Sequence, residues 1–152
     1  MIYNRTAEDV KIAKQIRDTV VKSFQQPNDE QLEQLEKGFL TINTLNRIEE
    51  KQEELKNKLE SIGYFNVSVD TRKWFEGDIF FDSDIERLKK NNVILKNASP
   101  SVSYFPDQPS SVLDYESLNK MEKLLHDIEE IFEKISQNYL QCGTFECGGF
   151  KL

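Results

Sequence analysis

The sequence predicts a mainly α protein, a bundle of four to five helices with a short β-like segment and a glycine-rich C-terminal extension. Three observations predict it. Leu118, Met121, Leu125, Ile128, Phe132, Ile135 and Tyr139 recur at spacings of three and four, which places them on one face of a helix spanning 114–139. Shorter rows of the same period lie upstream, separated by Pro27, Gly38 and Gly63. The helical period gives way to alternation only at 64–71, and half of the six glycines fall after residue 142.

Thr6 opens the first helix, with Asp9 three residues on completing a variant capping box. Val10, Ala13, Ile16, Val20 and Phe24 form its apolar face, and Pro27 stops it. Asn28 caps a second helix with Leu32 and Leu35 turned inward, which Gly38 closes as a left-handed residue would. Glu33 and Lys37 are spaced for a surface ion pair on it. Thr41 or Thr44 opens the third helix, which ends at Gly63. Its row is Leu45, Ile48, Leu55, Leu59 and Ile62, with Gln52 in the remaining slot. So narrow a seam predicts one partner helix, with the glutamine fixing register. Glu49, Glu50, Glu53 and Glu54 are expected to face water.

Phe65, Val67 and Val69 alternate with polar residues, a strand-like period of two that needs a partner strand. Trp74, Phe75, Phe80 and Phe81 make 74–81 the most aromatic stretch. Ser83 with Glu86 reads as a capping box for a helix over 84–97, with Ile85, Leu88 and Leu95 inside. Residues 99–113 hold Pro100, Pro106 and Pro109 among serines and read as an extended connector. The long helix follows. Leu124 and Ile131 widen its apolar stripe beyond a two-stranded seam. Its other face carries Lys120, Glu122, Lys123, Asp127, Glu129, Glu130, Glu133 and Lys134 and is expected to be solvated. Residues 1–141 thus form one helical domain, and 142–152 a tail with the repeat Cys-Gly-x-Phe.

The bulk properties narrow the function. A net charge of -7 argues against a nucleic-acid surface, which needs clustered Lys and Arg. No run approaches the roughly 18 apolar residues of a membrane span. Met1-Ile2-Tyr3-Asn4-Arg5 leads into a charged amphipathic stretch, so no signal peptide is expected and synthesis is cytoplasmic.

Catalytic chemistry finds no foothold. Asp78, Asp82, Asp84 and Glu86 lack the central glycine and twelfth-position glutamate of a calcium loop. His126 is the single histidine, and four residues separate Cys142 from Cys147, wider than the usual redox or zinc pair. There is no Walker loop, dinucleotide fingerprint or nucleophile elbow. No catalytic residue, metal ligand or cofactor is expected, and the protein is read as a non-enzyme.

The residues singled out are therefore candidates for contact. Trp74, Phe75, Phe80 and Phe81 either plug the open end of the bundle or in part meet another protein, with Trp74, Phe80 and Phe81 the interface candidates, because aromatic anchors concentrate interface energy. Phe65, Val67 and Val69 offer a strand edge, and Phe145 and Phe150 lie in a tail with little core of its own.

Several ordered segments carry a resemblance. They are Tyr3-Asn4-Arg5-Thr6 with Glu8-Asp9-Val10, then Leu45-Asn46-Arg47-Ile48-Glu49, then Trp74 followed by Asp78-Ile79 and Ser83-Asp84-Ile85-Glu86-Arg87. Leu113-Asp114-Tyr115, Asn119 with Met121-Glu122, Leu124-Leu125, Asp127-Ile128 and the Gly143/Gly148 tail complete the set. In order and spacing the chain resembles a family of small structural proteins of tailed bacteriophages and phage-tail-like particles of Gram-positive bacteria. The resemblance implies a component of the virion or tail-like particle near the baseplate, tail tip or fibre attachment. Its partners would be other tail, baseplate or fibre proteins, with monomer and homo-oligomer both open. The family's look-alikes have Ser-Gly where this chain has Cys142-Gly143 and Cys147-Gly148, so cysteine chemistry is not implied. The alternative from another class is a cytoplasmic helical regulator or assembly chaperone.

Overall fold

Side-chain caps set where the helices begin. A computed structural model describes residues 1–63, 66–99 and 114–142, without the side chains of 136 and 138–142. The expectations on Phe65, on 100–113, on Phe145 and Phe150 and on the tail beyond 142 lie outside the described residues. Five helices occupy the described chain: α1 (Ala7–Ser23), α2 (Asp29–Gly38), α3 (Ile42–Ser61), α4 (Asp82–Ala98) and α5 (Tyr115–Cys142). The fold is mainly helical, and no strand forms among the described residues.

Thr6 and Asp9 form the expected capping box at α1, and Asn28 with Gln31 forms another at α2. Thr41 rather than Thr44 caps α3. At α5, the Asp114 carboxylate accepts from the Ser117 amide at 2.7 Å. The start of α4 differs from expectation. It lies two residues earlier, with Phe81 at the cap position, because the Asp84 carboxylate reaches back to accept the Phe81 amide at 3.0 Å. Ser83 and Glu86 are therefore inside the helix.

α3, α4 and α5 pack against one another, and α1 packs on α2 as a hairpin. The core joins Leu45, Ile48, Leu55 and Leu59 of α3 to Leu88 and Leu95 of α4 and to the α5 stripe from Leu118 to Phe132. The α5 stripe lies inward as its period requires. α3 does not fit the single-partner expectation, since it touches both neighbours. Glu49 and Gln52 extend its inner face beyond the apolar row.

Three further expectations change in the hairpin. Phe24 does not continue the face of α1; it ends the helix in a left-handed conformation (φ 53°) and is 98% exposed. Leu32 is exposed as well. Gly38 is the last helical residue of α2 and has no positive φ. Its lack of a side chain serves a close crossing: a Cβ there would lie 2.1 Å from the Ala13 Cβ and 2.7 Å from the Asp9 carbonyl oxygen.

The segment after α3 keeps the alternation that its sequence shows. Val67 is buried and Val69 half-buried, while Asn66, Ser68 and Asp70 are exposed. At its end the Asp70 backbone is paired with a side chain. The Asp70 amide donates to Asn91 Oδ1 at 3.0 Å, and Asn91 Nδ2 donates to the Asp70 carbonyl at 2.8 Å. One asparagine thus supplies the donor and acceptor that a neighbouring strand would supply.

Candidate contact surface

The stretch 70–81 is fixed from beneath and open above. Asn46 of α3 holds Trp74 as Asn91 holds Asp70: the Trp74 amide donates to Asn46 Oδ1 at 2.8 Å, and Asn46 Nδ2 donates to the Trp74 carbonyl at 3.1 Å. The indole Nε1 donates to Glu49 Oε1 at 3.1 Å in the interior. The Phe80 ring tilts against the indole at 5.4 Å, and the Arg72 guanidinium lies 3.8 Å over it. Trp74 is 2% exposed, so the indole belongs to the core of its own chain.

Glu49 is the centre of this anchoring. Besides the indole, it accepts from the Arg72 amide at 3.2 Å and from both terminal nitrogens of Arg87. Arg87 also donates to the Asp70 carbonyl at 2.5 Å. Hydrogen bonding to Glu49 holds the Arg87 pKa above its ordinary value, with burial pulling the other way. Glu49 is buried, against the expectation that it faces water, because four donors converge on it. Gln52, expected in the seam, donates to the Leu88 carbonyl and to Asn92 Oδ1, and accepts from Asn91 Nδ2 at 2.9 Å.

Above this anchor the chain turns back on itself. Gly77 takes a positive φ (95°), the Asp78 amide donates to the Phe75 carbonyl, and Asp78 Oδ2 accepts the Phe75 amide at 2.9 Å. The turn leaves Phe75 61%, Ile79 67% and Phe81 58% exposed. The aromatic stretch therefore divides: Trp74 and Phe80 go inward, Phe75 and Phe81 outward. Of the other candidates, Val67 is in the core and Val69 packs against it. Three large apolar groups within seven residues are thus exposed on a backbone tied at both ends, which makes them candidates for contact.

A second buried centre lies toward the N-terminus. Glu122 of α5 is fully buried, although its position suggested the wet face. Its carboxylate accepts from Arg5 Nη1 at 2.7 Å, from Arg47 Nε and Nη2 at 3.1 and 2.9 Å, and from the Ile2 amide at 3.0 Å. Asn119 clamps Arg5 in the same two-bond manner, accepting its amide at 3.1 Å and donating to its carbonyl at 2.8 Å. Asp127, also expected on the wet face, is largely buried and bound by Lys123 at 3.1 Å. His126 is half-buried, stacked on Tyr3 at 5.1 Å and 3.4 Å from Glu130.

Sequence reasoning missed Glu49, Glu122 and the asparagines 46, 91 and 119. A signal existed for one of them. The inner row of α4 runs Leu88, then Asn91 or Asn92, then Leu95, so an amide fills a core slot just as Gln52 does on α3. Glu122 falls four residues after Leu118 and three before Leu125, but its partner Arg5 is more than a hundred residues away in sequence.

Among the described residues no group of His, Cys, Asp or Glu could hold a metal ion, and no helix is long and apolar enough to cross a membrane. Comparison with protein-family models, curated proteins and solved structures finds no match.

Proposed function

We propose that this chain is a non-catalytic adaptor in a phage tail or phage-tail-like particle, near the baseplate, tail tip or fibre attachment, joining neighbouring subunits by packing. The observation that carries the reading is the surface formed by Phe75, Ile79 and Phe81, exposed yet held from below by Trp74, Asn46 and Glu49. An interface whose backbone is ordered before contact loses little conformational freedom on binding, which suits a part that must be assembled many times in one geometry. The particle context rests on the ordered resemblance. Several of its segments coincide with the internal framework: Arg5, Asn46, Arg47, Glu49, Trp74, Arg87, Asn119 and Glu122 all take part in the two buried centres.

The contact is placed at this surface rather than at 65–69, because Val67 is in the core and the backbone of Asp70 is taken by Asn91. The glycine-rich tail at 142–152 is assigned the second contact, as a β-like edge added to a neighbour's sheet. A variant with Phe75, Ile79 and Phe81 all replaced by serine should keep its helicity and fail to enter particles. Normal incorporation of that variant would remove the surface from the mechanism. Mass spectrometry of purified particles separates the adaptor from an assembly chaperone, which would be left behind.

A further inference from the structure

Phe24 carries two costs that its own chain does not offset. It closes α1 at φ 53°, a left-handed conformation that disfavours bulky side chains, and its ring is 98% exposed. Val21, one turn earlier, is 65% exposed, and Lys22 lies between the two in sequence. Behind this tip the α1–α2 hairpin buries only Ala13.

The charges around the tip are divided. On α1, Glu8 holds Lys11 at 3.5 Å and Asp18 holds Arg17 at 2.8 Å, which leaves Lys14 and Lys22 without an ion pair among the described residues. Asp29 and Glu30 begin α2 across the tip, so only its α1 side is positive. The surface at 75–81 has the opposite pattern. From Phe75 to Glu86 there are five carboxylates and no Lys or Arg. Asp78 and Asp84 are drawn to Arg72 at 3.3 and 3.6 Å, and Glu86 to Lys89 at 3.9 Å. Glu76 beside Phe75 and Asp82 beside Phe81 hold no ion pair among the described residues.

We infer that a second copy of this chain seats its Val21–Phe24 tip on the surface of Phe75, Ile79 and Phe81, with Lys14 and Lys22 toward Glu76 and Asp82. Burial of the ring offsets its exposure, and the opposite charges fix which ends meet. Two unlike patches on one chain make a heterologous contact, so copies add head to tail into a row or a ring. The inference rests on the reading of 75–81 as a contact surface and names its occupant.

Sedimentation velocity of the full chain over a concentration series tests it. Association should pass beyond the dimer and weaken several-fold between about 50 and about 500 mM sodium chloride. Phe24→Asn suits the left-handed conformation and removes the ring, so it should abolish association while the thermal midpoint holds or rises. Phe75→Ser with Ile79→Ser should abolish it from the other side. A mixture of these two variants should form dimers and nothing larger, since one intact tip and one intact surface remain. Lys22→Ala should weaken association about two- to five-fold. A wild-type chain that stays monomeric overturns the inference. So does loss of association with only one of the two variants, or a mixture that stays monomeric. If the wild type is monomeric and the triple serine variant still fails to enter particles, the adaptor reading survives without this one. Association in solution with normal particle entry of that variant leaves this inference standing alone.

Discussion

The two buried carboxylates, Glu49 and Glu122, solve one problem in two ways. Each sits on a helix of the three-helix core, pairs with arginine and lies beside an asparagine that clamps a non-helical segment. Around Glu49 the two side-chain partners belong to the body of the fold: Arg87 projects from α4, and Trp74 is wedged among core side chains. Around Glu122 one arginine comes from α3 and the other from the N-terminal arm, the non-helical residues ahead of α1. The first centre is a lock. The second is a latch, and the difference lies in whether a freed arginine can escape to water.

That contrast is testable in stability. Glu49→Ala would leave Arg87 buried without its main counter-ion and the Trp74 indole without an acceptor, on elements that cannot lift away. The expected loss is about 3–5 kcal/mol, measured by urea denaturation. Glu122→Ala should lose less, about 1–3 kcal/mol, because the arm can release Arg5 into solvent and Arg47 lies 3.7 Å from Glu36. Faster hydrogen exchange confined to residues 1–5 would mark the latch opening. Equal losses for the two variants would dissolve the distinction.

The asparagine clamps sharpen it further. Asn46→Ala leaves the Trp74 amide and carbonyl unpaired against the core and should cost about 1–3 kcal/mol, with lower affinity at the aromatic surface as its anchor loosens. Asn119→Ala removes the same pair of bonds from Arg5, but that backbone can rehydrate, so a loss of about 1 kcal/mol or less is expected.

Legibility in the sequence follows the range of the interaction. The caps at Thr6 and Asn28 and the stripe of α5 were readable because their partners lie within four residues. The partnership of Glu49 with Arg87 was not readable. On α3 it stands next to Glu50, and a helical wheel assigns both to water until a distant arginine arrives. Gly38 failed for a different reason. A glycine at a helix end usually marks a left-handed cap, and only the packing of α1 onto α2 shows that space was the requirement. The aromatic stretch was legible as a candidate, but its division into inward Trp74 and Phe80 and outward Phe75 and Phe81 depends on the turn at Gly77.

The smallest effect concerns acid. Burial pushes the Glu129 pKa up, but hydrogen bonds from Lys51 and Lys58 across the α3–α5 contact outweigh it and hold it below 4.5. Hydrogen bonds from Thr6 and from Ser117 lower Asp9 and Asp114 below 3.8. Groups lowered on folding contribute stability that is present above their unfolded values and lost as pH falls through the folded ones. The urea midpoint should therefore hold steady from pH 7 to about pH 5 and fall below about pH 4.5. Glu129→Gln should flatten part of that fall, because these partly exposed groups act separately from the two buried centres.

Side-chain amides on Asp70, Trp74 and Arg5 have a consequence for crowding. At these residues the main-chain hydrogen bonds are already taken by Asn91, Asn46 and Asn119. Many copies held close together would find no ready template there for edge-to-edge growth. Such a chain can be concentrated in one place with these three backbone positions closed to a neighbour's strand.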